Sequence, residues 1–371
     1  MKKKVLMAAP FDSNGRYSGG ISLVANEIAN AADILSENKI TLIKFETCRR
    51  KRQKESTGRF SLSNVLNTLQ VYFALPREIK SSDADILYFH TSVKFSLLKD
   101  LFVIRHAKAV TGIKTVLHIH FADYHKIITG KRFLDRLMLR WIQRFVDHTV
   151  FLSLATMAEF IARGVDEKNC SVIYNFCNLN ISEKQINEKL SKNREITKFL
   201  FVGTISGRKG IFNALRCLRE IDEPFEIHVC GVPIDKVTEE FFDKYRNAMG
   251  NKLIYHGYLS GTDKADVYYN SDVLLLPSYG EGMPIVILEA YAAGCAVITT
   301  TVGAIPEIVN EKNGMLVTPG DRAQLHQALS SYLKMPNDKL KEIQKHNYAV
   351  GKNYSIETFI KNISDICDQL L

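Results

Sequence analysis

The chain has 371 residues, 46% apolar and 24% charged, the composition of a globular protein long enough for two domains with separate cores. No apolar run approaches about 18 residues, so no membrane-spanning helix is expected. Seven scattered cysteines without a Cys-x-x-Cys pair or a Cys/His cluster fit reduced cytoplasmic thiols and argue against structural zinc. The net charge of +9 is uneven: residues 1–180 hold 27 of the 49 Lys+Arg but only 16 of the 40 Asp+Glu. The first half is therefore expected to meet something acidic: a diphosphate, a membrane surface or a nucleic acid.

Strand-like and helical runs alternate along the whole chain, the pattern of parallel sheets covered by helices. The start, Met1-Lys2-Lys3-Lys4 followed by an apolar stretch to Pro10, superficially resembles a signal peptide. That stretch is short and runs into Asp12 and Asn14, so a first core strand near 4–10 is expected instead. Further strands are expected near 39–46, 84–90, 114–120, 148–153 and 170–175, with helices near 20–35, 62–75, 94–110, 132–146 and 155–163. After the first strand, Gly19 and Gly20 precede a helix, where paired glycines let backbone N–H groups form an anion nest. Asp83-Ala84-Asp85 has the spacing of an Asp-x-Asp metal motif, but it opens an apolar strand and reads as solvated residues at a strand's start. His118 and His120 share one face of their strand, with His125 beyond; that spacing suits a metal, but no third ligand is evident.

Residues 131 to 146 place Arg132, Arg136, Arg140 and Arg144 four apart, with Phe133, Leu137, Trp141 and Phe145 tracking beside them. Two readings stand: an ordinary amphipathic helix with solvated arginines, or a stripe that joins Arg49-Arg50-Lys51-Arg52-Gln53-Lys54 on an anionic membrane.

A polar stretch over 181–195 has no apolar period and marks the expected boundary: an N-terminal domain 1–180, a second domain 181–354, and a last amphipathic helix in 355–371. The second half restarts at Lys198 to Gly203, with strands expected near 225–230, 252–256, 272–277, 296–300 and 314–317. Gly203, Arg208, Lys209 and Gly210 follow the first of these, and glycine-flanked basic residues between a strand and a helix offer a diphosphate both N–H donors and charge; a basic surface turn is the plainer alternative. After the strand at 272–277, Gly280 and Gly282 bracket Glu281 and admit a close approach to the backbone. Pro284 suits the first helical position and Gly294 the helix end, giving a short helix over 284–293 that carries Glu289. Glu281 can accept from sugar hydroxyls and Glu289 can hold a ribose diol; two surface glutamates near a helix start are the bland alternative.

The run Glu281-Gly282-Met283-Pro284-Ile285, then Glu289 and the turn Gly303-Ala304-Ile305-Pro306-Glu307, resembles the donor-site signature of the retaining glycosyltransferases of family 4. The resemblance covers most of the chain, is strongest over 199–320, and is faint between 47 and 83. It implies a GT-B fold, α/β, with two Rossmann-like doubly wound parallel-sheet domains facing a cleft. The first domain would take the acceptor, the second the nucleotide-sugar donor, and the last helix would return to the first domain. It implies catalytic roles for Glu281, His120, Lys209 and Arg208, and donor contacts at Gly19, Gly20, Gly203, Gly257, Tyr258, Gly282, Met283, Pro284, Ile285 and Glu289. The chain departs from the family at Thr204, where an Arg is usual and whose charge Arg208 is expected to supply from a displaced position, and at Phe121, which follows His120 where a small or acidic residue is usual. Looser matches are His256-Gly257-Tyr258-Leu259, like the turn that holds the base, and the strand ending in Asn175.

The function expected from these features is metal-independent, retaining transfer from a nucleotide sugar, with UDP commoner than GDP in the family. The acceptor is expected to be a glycan or a polyprenyl-diphosphate-linked glycan in surface polysaccharide synthesis, at the inner face of the cytoplasmic membrane. No cofactor and no nucleic-acid partner is expected. A sugar-nucleotide epimerase or hydrolase on the same fold is the first rival. A basic nucleic-acid-binding protein is the second, and it leaves the two glutamates unexplained.

Overall fold

The computed structural model describes residues 2–11, 20–48, 62–123, 127–128 and 131–371. Its contacts divide the chain into two units, Met1–Asn175 with Ile356–Leu371, and Phe176–Ser355. The first unit thus ends at Asn175, five residues before the sequence boundary, and the last helix, Ile356–Leu370, belongs to it.

Six parallel strands form the first unit's sheet, β1 (Lys3–Ala9), β2 (Ile40–Glu46), β3 (Ile86–Thr91), β4 (Lys114–Ile119), β5 (His148–Phe151) and β6 (Cys170–Val172), in the order β2-β1-β3-β4-β5-β6. β1 and β3 are buried along almost their whole length, as strands covered by helices on both faces must be. Leu6, Leu87, Leu117 and Phe151 from the sheet meet Leu75, Leu101, Ile104 and Ile142 from the helices Leu62–Ser82, Phe95–Thr111 and Arg132–Phe145. The last helix is tied in by Lys3, whose buried amine donates to Ser364 Oγ and Asp368 Oδ2, both at 2.7 Å. Asp83 and Asp85 sit at the start of β3, where Lys4 binds both: its amine donates to Asp83 at 3.0 Å and its backbone N–H to Asp85 at 2.7 Å.

The second unit repeats the plan with β7 (Thr197–Val202), β8 (Phe225–Cys230), β9 (Leu253–Gly257), β10 (Val273–Leu276), β11 (Ala296–Thr300) and β12 (Gly314–Val317), in the order β12-β11-β10-β7-β8-β9. The polar stretch read as a linker is largely a helix, Glu183–Ser191. Ser182 and Gln185 form a capping box at its start, and Lys189 donates to the Ser271 and Ala293 carbonyls at 2.7 and 2.9 Å. An amine at helix C-terminal carbonyls holds this segment where an apolar period would hold an ordinary helix.

Candidate active site

In the second unit the chain lays β7, β8 and β9 side by side in one direction, then returns to set β10 against the other side of β7. Loops that follow neighbouring strands at such a reversal open toward the carboxyl edge of the sheet, where parallel α/β folds bind ligands. The two loops at this reversal are 203–210 and 277–284, the two that the sequence singles out.

They are joined by three bonds. Lys209 Nζ donates to Glu281 Oε1 at 2.7 Å, the Arg208 guanidinium donates to the Gly280 carbonyl at 2.7 Å, and the Tyr279 N–H donates to the Arg208 carbonyl at 2.9 Å. The Lys209 and Glu281 side chains are only 17% and 8% exposed, so this ion pair is largely withdrawn from water. An ammonium has three donors, and two remain beyond the bond to Glu281. Arg208 is exposed and braces the 280 turn, while Thr204 is exposed on the same loop.

The turn beginning at Gly303 lies on this loop backbone to backbone. Ala304 N–H donates to the Gly282 carbonyl at 2.9 Å, and a Cβ on Gly303, at φ +60°, would come 2.4 Å from Glu281 O and 2.5 Å from Gly282 O. Gly303→Ala must therefore move the Glu281 backbone as well as adopt a strained conformation. We expect a fall in melting temperature together with a loss of activity out of proportion to it; full activity in that variant would detach this turn from the site.

Glu289, on the helix Ile285–Ala292, is 5% exposed and belongs to a separate cluster. Lys264 Nζ donates to its Oε1 at 2.5 Å and the Tyr268 hydroxyl to its Oε2 at 2.7 Å. Burial, then the Glu289 charge, push the Tyr268 hydroxyl well above its usual range, so it remains a protonated donor. Each carboxylate oxygen keeps a second lone pair for a further donor. Lys264 and Tyr268 were missed by the sequence reading; their only signal is a four-residue spacing on the helix Gly261–Tyr269, which puts them on one face.

Pro284 is the residue before the helix, with ψ 116°, rather than its first residue, because the chain is still extended there. Met283 is buried at 4% exposure and fills the core, whereas Gly282 and Ile285 are half-buried. Gly294 takes the left-handed turn after the helix, at φ +64°, as expected. Along the same carboxyl edge, Gly203 N–H donates to Cys230 O at 2.9 Å and Gly231 N–H to Gly257 O at 2.6 Å, leaving the Tyr258 ring 70% exposed.

In the first unit Gly20 is exposed and opens the helix Gly20–Asn30, while Gly19 lies outside the described residues, as does His125. His120 follows β4 directly and is half-buried. Its ring meets that of His90 on β3, Nδ1 of His90 and Nε2 of His120 being 2.6 Å apart, and stacks on His118 with centroids at 4.0 Å. The sequence made no third ligand evident beside His118 and His120; the β3–β4 register supplies His90, directly opposite His118.

Two doubly wound parallel-sheet units in one chain are the GT-B architecture, a fold that several activities share, and comparison with known proteins gives the class. Anabaena HepE in complex with UDP superposes with a TM-score of 0.72 at 18% identity, covering 99% of this chain and 100% of that one. A Klebsiella pneumoniae protein described as an uncharacterized 41.2 kDa protein in the cps region is 21% identical over 85% of this chain and 87% of its own. The alpha-galactosylglucosyldiacylglycerol synthase of Streptococcus pneumoniae is 23% identical over 75% of this chain and 76% of its own. Residues 182–350 match the family described as Glycosyl transferases group 1, and residues 19–181 match Glycosyltransferase Family 4. The chain belongs to the group 1 glycosyltransferases of family 4, enzymes of the hexosyltransferase type.

Proposed function

We propose that this enzyme moves a sugar from a UDP-sugar to a glycan or a polyprenyl-diphosphate-linked acceptor in the synthesis of a surface polysaccharide, with retention of configuration and without a divalent cation. The observation that carries the reading is the Lys209–Glu281 pair held between the two loops at the β7/β10 reversal. The UDP bound by the Anabaena neighbour and the cps setting of the Klebsiella relative support the donor and the pathway class.

In the reaction the bond from the anomeric carbon to the diphosphate oxygen breaks, and its electron pair leaves with UDP. The acceptor oxygen bonds to the anomeric carbon on the same face, and its proton passes to the departing phosphate. Lys209, Arg208 and the backbone around Gly203 and the start of the helix Ile285–Ala292 offset the charge that develops on the diphosphate. Glu281 accepts from hydroxyls of the sugar, Glu289 holds the ribose with Lys264 and Tyr268 fixing its carboxylate, and Gly257 and Tyr258 receive the base. Gly282, Met283, Pro284 and Ile285 shape the turn from the backbone.

His120 acts on the sugar in this reading. His120→Ala slows turnover with little change in UDP affinity measured by calorimetry; a large affinity loss would give it a binding role instead. The reading as a whole is tested by incubating the protein with a panel of nucleotide sugars, with and without lipid-linked acceptors and with EDTA, and assigning the product anomer by NMR. Acceptor-dependent release of UDP with a retained anomer in EDTA is expected. Inversion, a need for added metal, or consumption of the nucleotide sugar without any acceptor would overturn the corresponding part.

We further propose that the first unit rests on an anionic membrane surface. Arg132, Arg136, Arg140 and Arg144 are all exposed on the helix Arg132–Phe145, while Met138 and Ile142 are buried beneath it. Leu137, Trp141 and Phe145 are half-buried, so that part of the apolar track belongs to the core. Phe133, however, is 76% exposed, and neighbouring helices expose Leu66, Leu69, Phe73, Phe95 and Phe102. The basic run at 49–54 lies outside the described residues. At about 1 kcal/mol per basic residue near such a surface, four arginines suffice for reversible attachment. The protein should float with anionic liposomes at low salt and release at high salt; equal recovery with neutral vesicles, or none with either, would leave an ordinary packed helix.

A further inference from the structure

We propose that His90, His118 and His120 form a binding site for a borderline divalent cation, Zn2+ foremost. β3 and β4 run parallel with His90 opposite His118, so these two side chains share a face, and His120, two residues on, shares it too. One ring nitrogen from each histidine lies within 4.8 Å of the other two. The ligands of a tetrahedral zinc stand about 3.4 Å apart when each Zn–N bond is about 2.1 Å, so the nitrogens must draw closer and the stacked rings must turn about their side-chain bonds to aim their lone pairs at one point. The close His90–His120 pair, at 2.6 Å, opens slightly as the ion takes the place of the proton between them.

A second observation points to a ligand. Nε2 of His90 and Nε2 of His118 are buried without a hydrogen-bond partner, on residues only 3% and 0% exposed. A buried polar atom left unmatched costs about 1–3 kcal/mol; because His90 meets His120 through Nδ1, it is the orphan Nε2 of His118 that is left for an ion of a chemistry that imidazole nitrogen suits. His118 Nδ1 stands 3.0 Å from the Tyr88 hydroxyl. A proton on Nδ1 donated to that oxygen turns the Nε2 lone pair toward the cluster, the arrangement that orients metal-bound histidines. Burial holds all three imidazoles below their usual range, His120 at about 3, so they are neutral, the form that ligates. Half-buried His120 supplies the open side, where a water or an anion completes the coordination.

Occupation of this site removes a His120 nitrogen from the role given to it above, so Zn2+ is expected to slow a transfer that EDTA leaves intact. That consequence rests on the proposed function; the binding does not. The test is calorimetric titration of the EDTA-stripped, full-length protein with Zn2+, Co2+ and Mg2+, without substrates, alongside the visible spectrum of the Co2+ form. One Zn2+ per chain, a tetrahedral Co2+ spectrum and no Mg2+ binding are expected. His90→Gln and His120→Gln should each weaken Zn2+ binding by at least about tenfold, with the melting temperature of the stripped protein kept as a check on folding. His120→Gln, at the half-buried position, keeps the test decisive should the buried variant fail to fold. No Zn2+ binding by the wild type would overturn the proposal, as would binding unchanged in both variants or binding abolished by His228→Gln, which breaks the separate His228–His256 pair of the second unit, its ring nitrogens 2.9 Å apart. Tight binding with no effect on turnover would leave the site standing and remove His120 from the reaction.

Discussion

In the Glu281→Gln variant, sugar transfer falls by about two to three decades while the second unit keeps its fold. The amide oxygen still accepts the bond that Lys209 gives to Glu281 at 2.7 Å, so the amine is not orphaned. What disappears is the negative charge that, in the proposed function, the sugar hydroxyls meet as positive charge develops at the anomeric carbon, an interaction stronger in the transition state than in the ground state. The loss should therefore appear in kcat more than in KM. Turnover and thermal melting on one preparation check both halves, and near-normal turnover would remove Glu281 from the chemistry.

Lys209→Ala is expected to act on stability and on catalysis together. It leaves the Glu281 carboxylate, 8% exposed, without its cation, and orphaning one member of a buried pair costs up to about 3–5 kcal/mol. It also removes the charge-assisted contact to the leaving diphosphate that the proposed function gives to Lys209, worth about 1.5–3 kcal/mol, or roughly one to two decades in rate. The double variant Lys209→Ala/Glu281→Gln separates the two effects, because it removes the orphaned charge: melting temperature should recover in part and activity should not. A single variant with wild-type melting would show that the pair carries no stability, and one with wild-type rate would take the amine away from the diphosphate. Arg208→Ala should cost less, since its guanidinium braces the Gly280 carbonyl from an exposed position.

The two loops at the β7/β10 reversal were legible in the sequence because their requirements are local. Gly282, Gly294 and Gly303 mark turns, Pro284 marks a helix start to within one residue, and the apolar runs at 225–230 and 296–300 fall on β8 and β11. What escaped depends on partners distant along the chain. The helix Glu183–Ser191 buries Ile186 alone, and Lys189 also ties it to carbonyls 82 and 104 residues away, contacts that no local pattern shows. Glu281 and Glu289 are both acidic residues of one motif, yet each carries its own cation, Lys209 in one case and Lys264 in the other. Only the strand order brings Lys209 to Glu281, and no spacing within 203–210 announces it. His90 is absent from any local pattern with His118 and His120, since it is placed by register between two strands.

In the proposed function the β7/β10 reversal holds a uridine diphosphate, with Glu289 on the ribose and Lys209 on the diphosphate. Calorimetric titration of UDP into the wild type, Glu289→Ala and Lys209→Arg tests it without any knowledge of sugar or acceptor. One site per chain is expected in the wild type. Glu289→Ala should weaken it by about tenfold or more, in keeping with about 1.5–3 kcal/mol for a hydrogen bond to a charged group, and Lys209→Arg should weaken it less. No heat of binding in the wild type, or an affinity for UDP unchanged by the loss of Glu289, would contradict the account.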